Sequence, residues 1–110
     1  MFRQLHANPE LAFDLHDTSA LVAKRLKKLG YQVHTGIAET GLAAVLKNGD
    51  GPVIMFRSDM DALPVKEESG LSYASKKQVT LDDGSSQYVS HACGHDAHTA
   101  WLLGIAKVMM

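Results

Sequence analysis

The chain has 110 residues, 45% of them apolar and 21% charged, which is the composition of one small globular domain. A formal net charge of -1 argues against the clustered basic surface that non-specific nucleic-acid binding needs. No apolar run approaches the roughly 20 residues of a membrane span. A single cysteine rules out an internal disulfide framework and fits a reducing compartment. With no apolar leader core in Met1–His6, the cytoplasm is the expected location.

Met1–His6 reads as the last turns of a helix, stopped by Asn8-Pro9 because proline disfavours helix in the residue before it. Asp14 is a candidate N-cap for a second helix, with Asp17 three positions on. Leu15, Val22, Leu26 and Leu29 are spaced for one face of that helix. Lys24, Arg25, Lys27 and Lys28 crowd its last turns, where cations suit the helix dipole, and Gly30 ends it. Tyr31–Thr35 and Leu42–Lys47 read as strands either side of a Glu39-Thr40-Gly41 turn. Val53–Arg57 is a continuous apolar run ending in charge, the pattern of a strand buried on both faces. Residues 69–90 are polar, with Asp82–Ser86 as a hairpin tip. An apolar helix beginning near Ala97 is expected to run to Met110 without a Gly or Pro stop, so the chain is expected to be part of a longer protein. Helix, strands, loop and helix in this order predict an α/β domain, a layered sheet flanked by helices.

Two stretches carry chemistry. His91-Ala92-Cys93-Gly94-His95-Asp96-Ala97-His98 places three histidines, the only cysteine and an aspartate within one turn and the start of a helix. Thiolate and imidazole are ligands that borderline metals such as zinc select. Gly94 permits the tight turn that lets Cys93 and His95 point at one ion, and Asp96 stands where a helix N-cap would. Alternatives for Cys93 and His95 are an inert thiol, a structural zinc site and a Cys–His nucleophile pair. Asp59 and Asp61 follow the Val53–Arg57 run, and in an extended chain residues two apart share a side. Close carboxylates repel unless a cation or a proton lies between them. The plainer alternative makes Asp59 a turn cap and Asp61 a solvated acid. His98 is a candidate for orienting a ligand and His91 a candidate strand end. His6, His16 and His34 read as surface residues, Lys66–Glu68 as a solvated loop and Trp101 as core.

The string Arg57-Ser58-Asp59-Met60-Asp61-Ala62-Leu63-Pro64, followed by His91–Ala100, resembles the M20 family of metallopeptidases and amidohydrolases. Within it the resemblance is to the branch of hippurate hydrolases and auxin-conjugate hydrolases, whose opening is matched by Leu5–Leu11 and whose first hairpin by Thr40–Ala43. Ser90 departs from the pattern, where Met is common, and the stretch from Val79 to Val89 is longer and more polar than the usual connection.

The resemblance implies that Cys93 and His95 are metal ligands and that Asp61 belongs to the catalytic machinery, orienting a ligand. Asp59 stands where other branches place a ligating histidine. Two divalent metals, zinc or manganese, are implied as cofactors. The implied substrate is a small N-acyl amino acid or similar conjugate, cleaved at its amide bond, and the implied full-length protein is a homodimer.

Residues 1–110 would then be the N-terminal portion of a phosphorylase/hydrolase-like metallohydrolase catalytic domain. The dimerisation domain, the glutamate base and the later histidine ligands would lie outside them. These residues alone are therefore expected to be inactive. Rival readings are a non-catalytic or degenerate domain of the same fold, and a thiol hydrolase with Cys93 as nucleophile.

Overall fold

The computed structural model describes residues 1–110. Helix α1 spans Phe2–Ala7 and stops at Asn8, whose side chain donates back to the Gln4 carbonyl at 2.8 Å. Pro9 and Glu10 behind it are buried. Helix α2 spans His16–Lys28 and starts by an unexpected device. Its N-cap is Leu15, not Asp14, and Leu15 makes no side-chain cap. The carboxylate of Glu10 supplies the cap from outside the helix, accepting from the Asp17 and Thr18 amides at 3.1 and 2.6 Å. A negative group at these otherwise unpaired N–H donors also suits the helix dipole.

The α2 face read from the sequence is the one that is buried. Val22 and Leu26 form the core with Leu103 and Ala106, and Leu29, Tyr31, Val33, Leu42, Ala44 and Met60 pack around them. Strands β1 (Gln32–Ile37) and β2 (Gly41–Val45) pair antiparallel as a hairpin. Gly41 is required at their junction, because a Cβ there would lie 2.5 Å from the Ile37 carbonyl oxygen. Strands β3 (Gln78–Thr80) and β4 (Ser86–Tyr88) form a second hairpin with Asp82–Ser86 at its tip, as the turn signals predict. Helix α3 spans His95–Val108, and the Tyr31 hydroxyl donates to its Ala106 carbonyl at 2.9 Å. No helix is long and apolar enough to cross a membrane.

The α/β class holds, but the strands form two separate two-stranded sheets. The expected strand over Val53–Arg57 is not formed. The run is irregular and exposed, with Val53 98% and Met55 87% accessible. Apolar, β-branched composition favours a strand only where a neighbour supplies ladder partners and cover, and nothing pairs with this run. Trp101, expected in the core, is 65% exposed on α3, because Leu103 and Ala106 occupy the inward face.

Candidate metal centre

Backbone pairing between distant segments assembles the site. The Ala62 amide donates to the Glu10 carbonyl at 2.8 Å, and Leu63 exchanges two hydrogen bonds with Ser90 at 2.9 and 3.0 Å. Asp61 is thereby held beside the turn that follows Ser90. That turn closes with the Gly94 amide on the His91 carbonyl, and α3 begins at His95. Gly94 is the N-cap, with φ of 76°, a left-handed conformation that side chains rarely adopt. Asp96 is therefore inside the first turn and not at the cap position the sequence suggested.

His95 is the best-oriented group here. Its Nδ1 lies 2.8 Å from the Asp61 carbonyl oxygen and 2.9 Å from Asp61 Oδ1. A carbonyl and a carboxylate only accept, so Nδ1 carries the proton and donates. The other nitrogen, Nε2, is left facing outward, 3.9 Å from Asp59 Oδ2. A carboxylate behind a histidine that presents its free nitrogen is the usual preparation of an imidazole ligand. Ligand atoms of Asp59, His95 and His98 lie within 4.8 Å of one another. The His95 and His98 rings, one helical turn apart, are 5.3 Å between centroids.

Two further contacts hold this group. The buried Thr99 hydroxyl lies 2.8 Å from the His95 carbonyl and 3.2 Å from that of Asp59, joining α3 to the segment that carries the acids. Arg57 donates to Asp59 Oδ1 at 2.8 Å, and this hydrogen bond and its charge hold the Asp59 carboxyl below the usual range.

The residues expected from the sequence divide. Asp61 and His95 meet, and Asp59 joins them together with His98. Cys93 is an exposed free thiol outside that converging group. His91 is buried with no hydrogen-bond partner on either ring nitrogen, and burial lowers its pKa. Two residues read as solvent-facing are not. His6 Nδ1 lies 2.6 Å from Asp96 Oδ2, and its Nε2 lies 2.9 Å from Glu67 Oε2. Glu67 also accepts from Ser69 and from the Ser75 amide. Burial works against its ionised form, yet these hydrogen bonds lower its pKa to about 2. Nothing in local sequence joins positions 6, 67 and 96. The one sequence signal at His6 is its place in the Leu5–Leu11 match to the family opening, and His6 itself reads there as a surface residue.

A family model for peptidase family M20/M25/M40 matches residues 55–110, the half of the chain that contains this centre. The chain belongs to that family. It is 48% identical over 107 residues to a hippurate hydrolase of Campylobacter jejuni, covering 96% of this chain and 26% of that protein. It is 43% identical to an N-acetyl-L-cysteine deacetylase of Bacillus subtilis, covering 97% of this chain and 24% of that one. Among solved structures, the Bacillus subtilis YXEP protein, a dinuclear metal binding peptidase, superposes with a TM-score of 0.83 at 36% identity over 99% of this chain and 28% of that one. The chain thus spans about a quarter of the length of the curated relatives it matches.

Proposed function

We propose that these residues are the N-terminal portion of the catalytic domain of a metal-dependent amidohydrolase, which cleaves the amide bond of N-acyl amino acids or similar small conjugates. One observation carries the reading: His95 is locked through Nδ1 onto Asp61 and offers Nε2 toward Asp59 and His98. Two imidazoles and a carboxylate, with a thiol two residues before His95, are a donor set that suits a divalent metal such as zinc. His95 would hold the metal together with Cys93, with Asp59 and His98 in reach, and Asp61 would fix the His95 ring and its tautomer. When bound, such a metal polarises a carbonyl and lowers the pKa of water.

The chain's own contribution is orientation. Asp61 keeps the Nδ1 proton, Thr99 ties His95 to the Asp59 segment, and Arg57 keeps Asp59 ionised. The relatives named a hippurate hydrolase and an N-acetyl-L-cysteine deacetylase support a small N-acyl amino acid as substrate. YXEP, by its description dinuclear, supports two metals per site. Zinc or manganese as the metals, a homodimer and a cytoplasmic location complete the proposal.

The test uses the whole protein, with metal content by elemental analysis and turnover of N-benzoylglycine and N-acetyl-L-cysteine. His95→Ala and Cys93→Ala should lower metal and turnover together, and Cys93→Ser nearly as much, because a neutral hydroxyl replaces thiolate poorly. Chelation should stop turnover. A protein that survives chelation and dies on alkylation is a thiol hydrolase, and full metal occupancy in these variants would sink the ligand assignment.

A further inference from the structure

His6 joins three parts of the chain that share no local sequence: α1, the loop around Glu67 and the first turn of α3. Its side chain is 14% exposed, and those of Asp96 and Glu67 are 3% and 9% exposed. Ionised carboxylates accept hydrogen bonds and cannot donate them. Glu67 is ionised, since the Ser75 amide on one oxygen and Ser69 on the other join His6 in stabilising its charge. A carboxyl oxygen against each ring nitrogen favours the ring with both nitrogens protonated. Its ring is also fixed laterally, at 5.2 Å from the Tyr73 ring and 5.6 Å from that of Phe2.

We infer that His6 is a positioning residue: as an imidazolium between Asp96 and Glu67, it clamps the start of α3 and so sets the place of His95. This rests on the metal-site reading above. Asp96 follows His95 directly, so a displacement of Asp96 displaces the His95 backbone. His95 in turn tolerates little movement, because its Nδ1 meets two acceptors of one residue at 2.8 and 2.9 Å. Supporting groups of this kind hold a ligand to within about 0.5 Å of its working geometry. Burial works against the charged ring, but the hydrogen bonds and charges of Glu67 and Asp96 prevail and raise the His6 pKa above 6.5. The other groups around it are the Tyr73 phenol and the buried His91 imidazole, with Arg3 on its own helix lying over Tyr73.

The test is nitrogen-15 NMR of the histidine rings combined with calorimetric zinc titration. In the unsubstituted protein, at a pH above the ordinary imidazole value of 6.5, both His6 nitrogens should be protonated and His95 should carry its proton on Nδ1. A His6 that titrates as an ordinary imidazole overturns the clamp without any variant being made. His6→Asn, compared at a temperature where circular dichroism shows it folded, should blur the His95 tautomer and weaken zinc binding about 10–100-fold, the usual cost of losing a ligand's support. His16→Asn, on an exposed histidine, should do neither. His95→Ala separates the two claims. If His95→Ala leaves zinc affinity and stoichiometry unchanged, the metal reading fails. If His95→Ala lowers zinc binding while His6→Asn leaves it unchanged, the clamp is overturned and the metal reading stands.

Discussion

Two acid–histidine clusters lie on either side of one helix start, and they differ in one respect. Around His6, every strong hydrogen-bonding direction of the ring is used, Asp96 is buried and Glu67 largely shielded, and the group is closed. Around His95, one nitrogen is tied to Asp61 while the other faces a half-exposed Asp59 and His98 without a short partner. The same residue types therefore do opposite work. A closed cluster spends its donors and acceptors internally and fixes position, whereas an open one keeps a lone pair for a ligand. Asp96 and His95, adjacent in sequence, belong to different clusters, so rigidity in the first is passed directly to the second.

The largest way to break this comparison is Asp96→Ala. It leaves His6 Nδ1 without its acceptor in a part-buried setting, and losing a hydrogen bond to a charged group costs about 2 kcal/mol. A urea unfolding curve should show that loss, and an unchanged midpoint would mean that the cluster is not closed.

Asp61→Asn acts on the open cluster instead. It keeps size and a hydrogen-bonding oxygen but removes the charge behind His95. Metal affinity should drop about 10–100-fold while the unfolding midpoint barely moves. Calorimetric titration beside the unfolding curve checks both halves, and a large stability loss would erase the distinction between the clusters.

The closed cluster should also leave a mark on stability against pH. Glu67 falls from 4.5 to about 2 on folding, so its contribution is complete above 4.5 and fades as pH drops toward 2. His6 moves the other way. Its contribution is complete below 6.5 and fades as pH rises through its raised folded value. Together they predict greatest support between 4.5 and 6.5, and His6→Asn should remove the decline on the alkaline side. Unfolding midpoints taken from below 4.5 to well above 6.5 decide it.

The smallest effect belongs to Arg57→Ala. The Arg57–Asp59 pair is well exposed, so its loss should cost no more than about 0.5 kcal/mol. Asp59 should return toward the ordinary carboxylate range, visible in a carbon-detected pH titration. A larger stability change would place Asp59 in the closed group after all.

What the sequence made legible follows the range of the interactions. The α2 face, the Asp82–Ser86 hairpin tip and the Asn8-Pro9 stop depend on neighbours within a few positions, and all are found. Asp61 and His95 were singled out by residue type and by family resemblance, and the fold sets them 2.9 Å apart. Three features depend on groups outside the local pattern, seven and eight residues away for Glu10 and far along the chain for the other two. Glu10 caps α2 from outside it, His6 and Glu67 meet across 61 positions, and the Val53–Phe56 run has a strand's composition without a strand's neighbour. Trp101 reads as core in the sequence, but the inward face of α3 is filled by Leu103 and Ala106.

The Val53–Phe56 run also governs how the chain behaves in company. A short, exposed apolar stretch with no charge inside it and no ladder partner is a template on which an identical stretch can lie down. Turbidity should then rise with concentration, and a chain that stays clear at high concentration would show that the run does not pair. Natural sheets blunt such edges with a lysine, and a lysine substituted at the 87%-exposed Met55 would do so here without touching either histidine cluster.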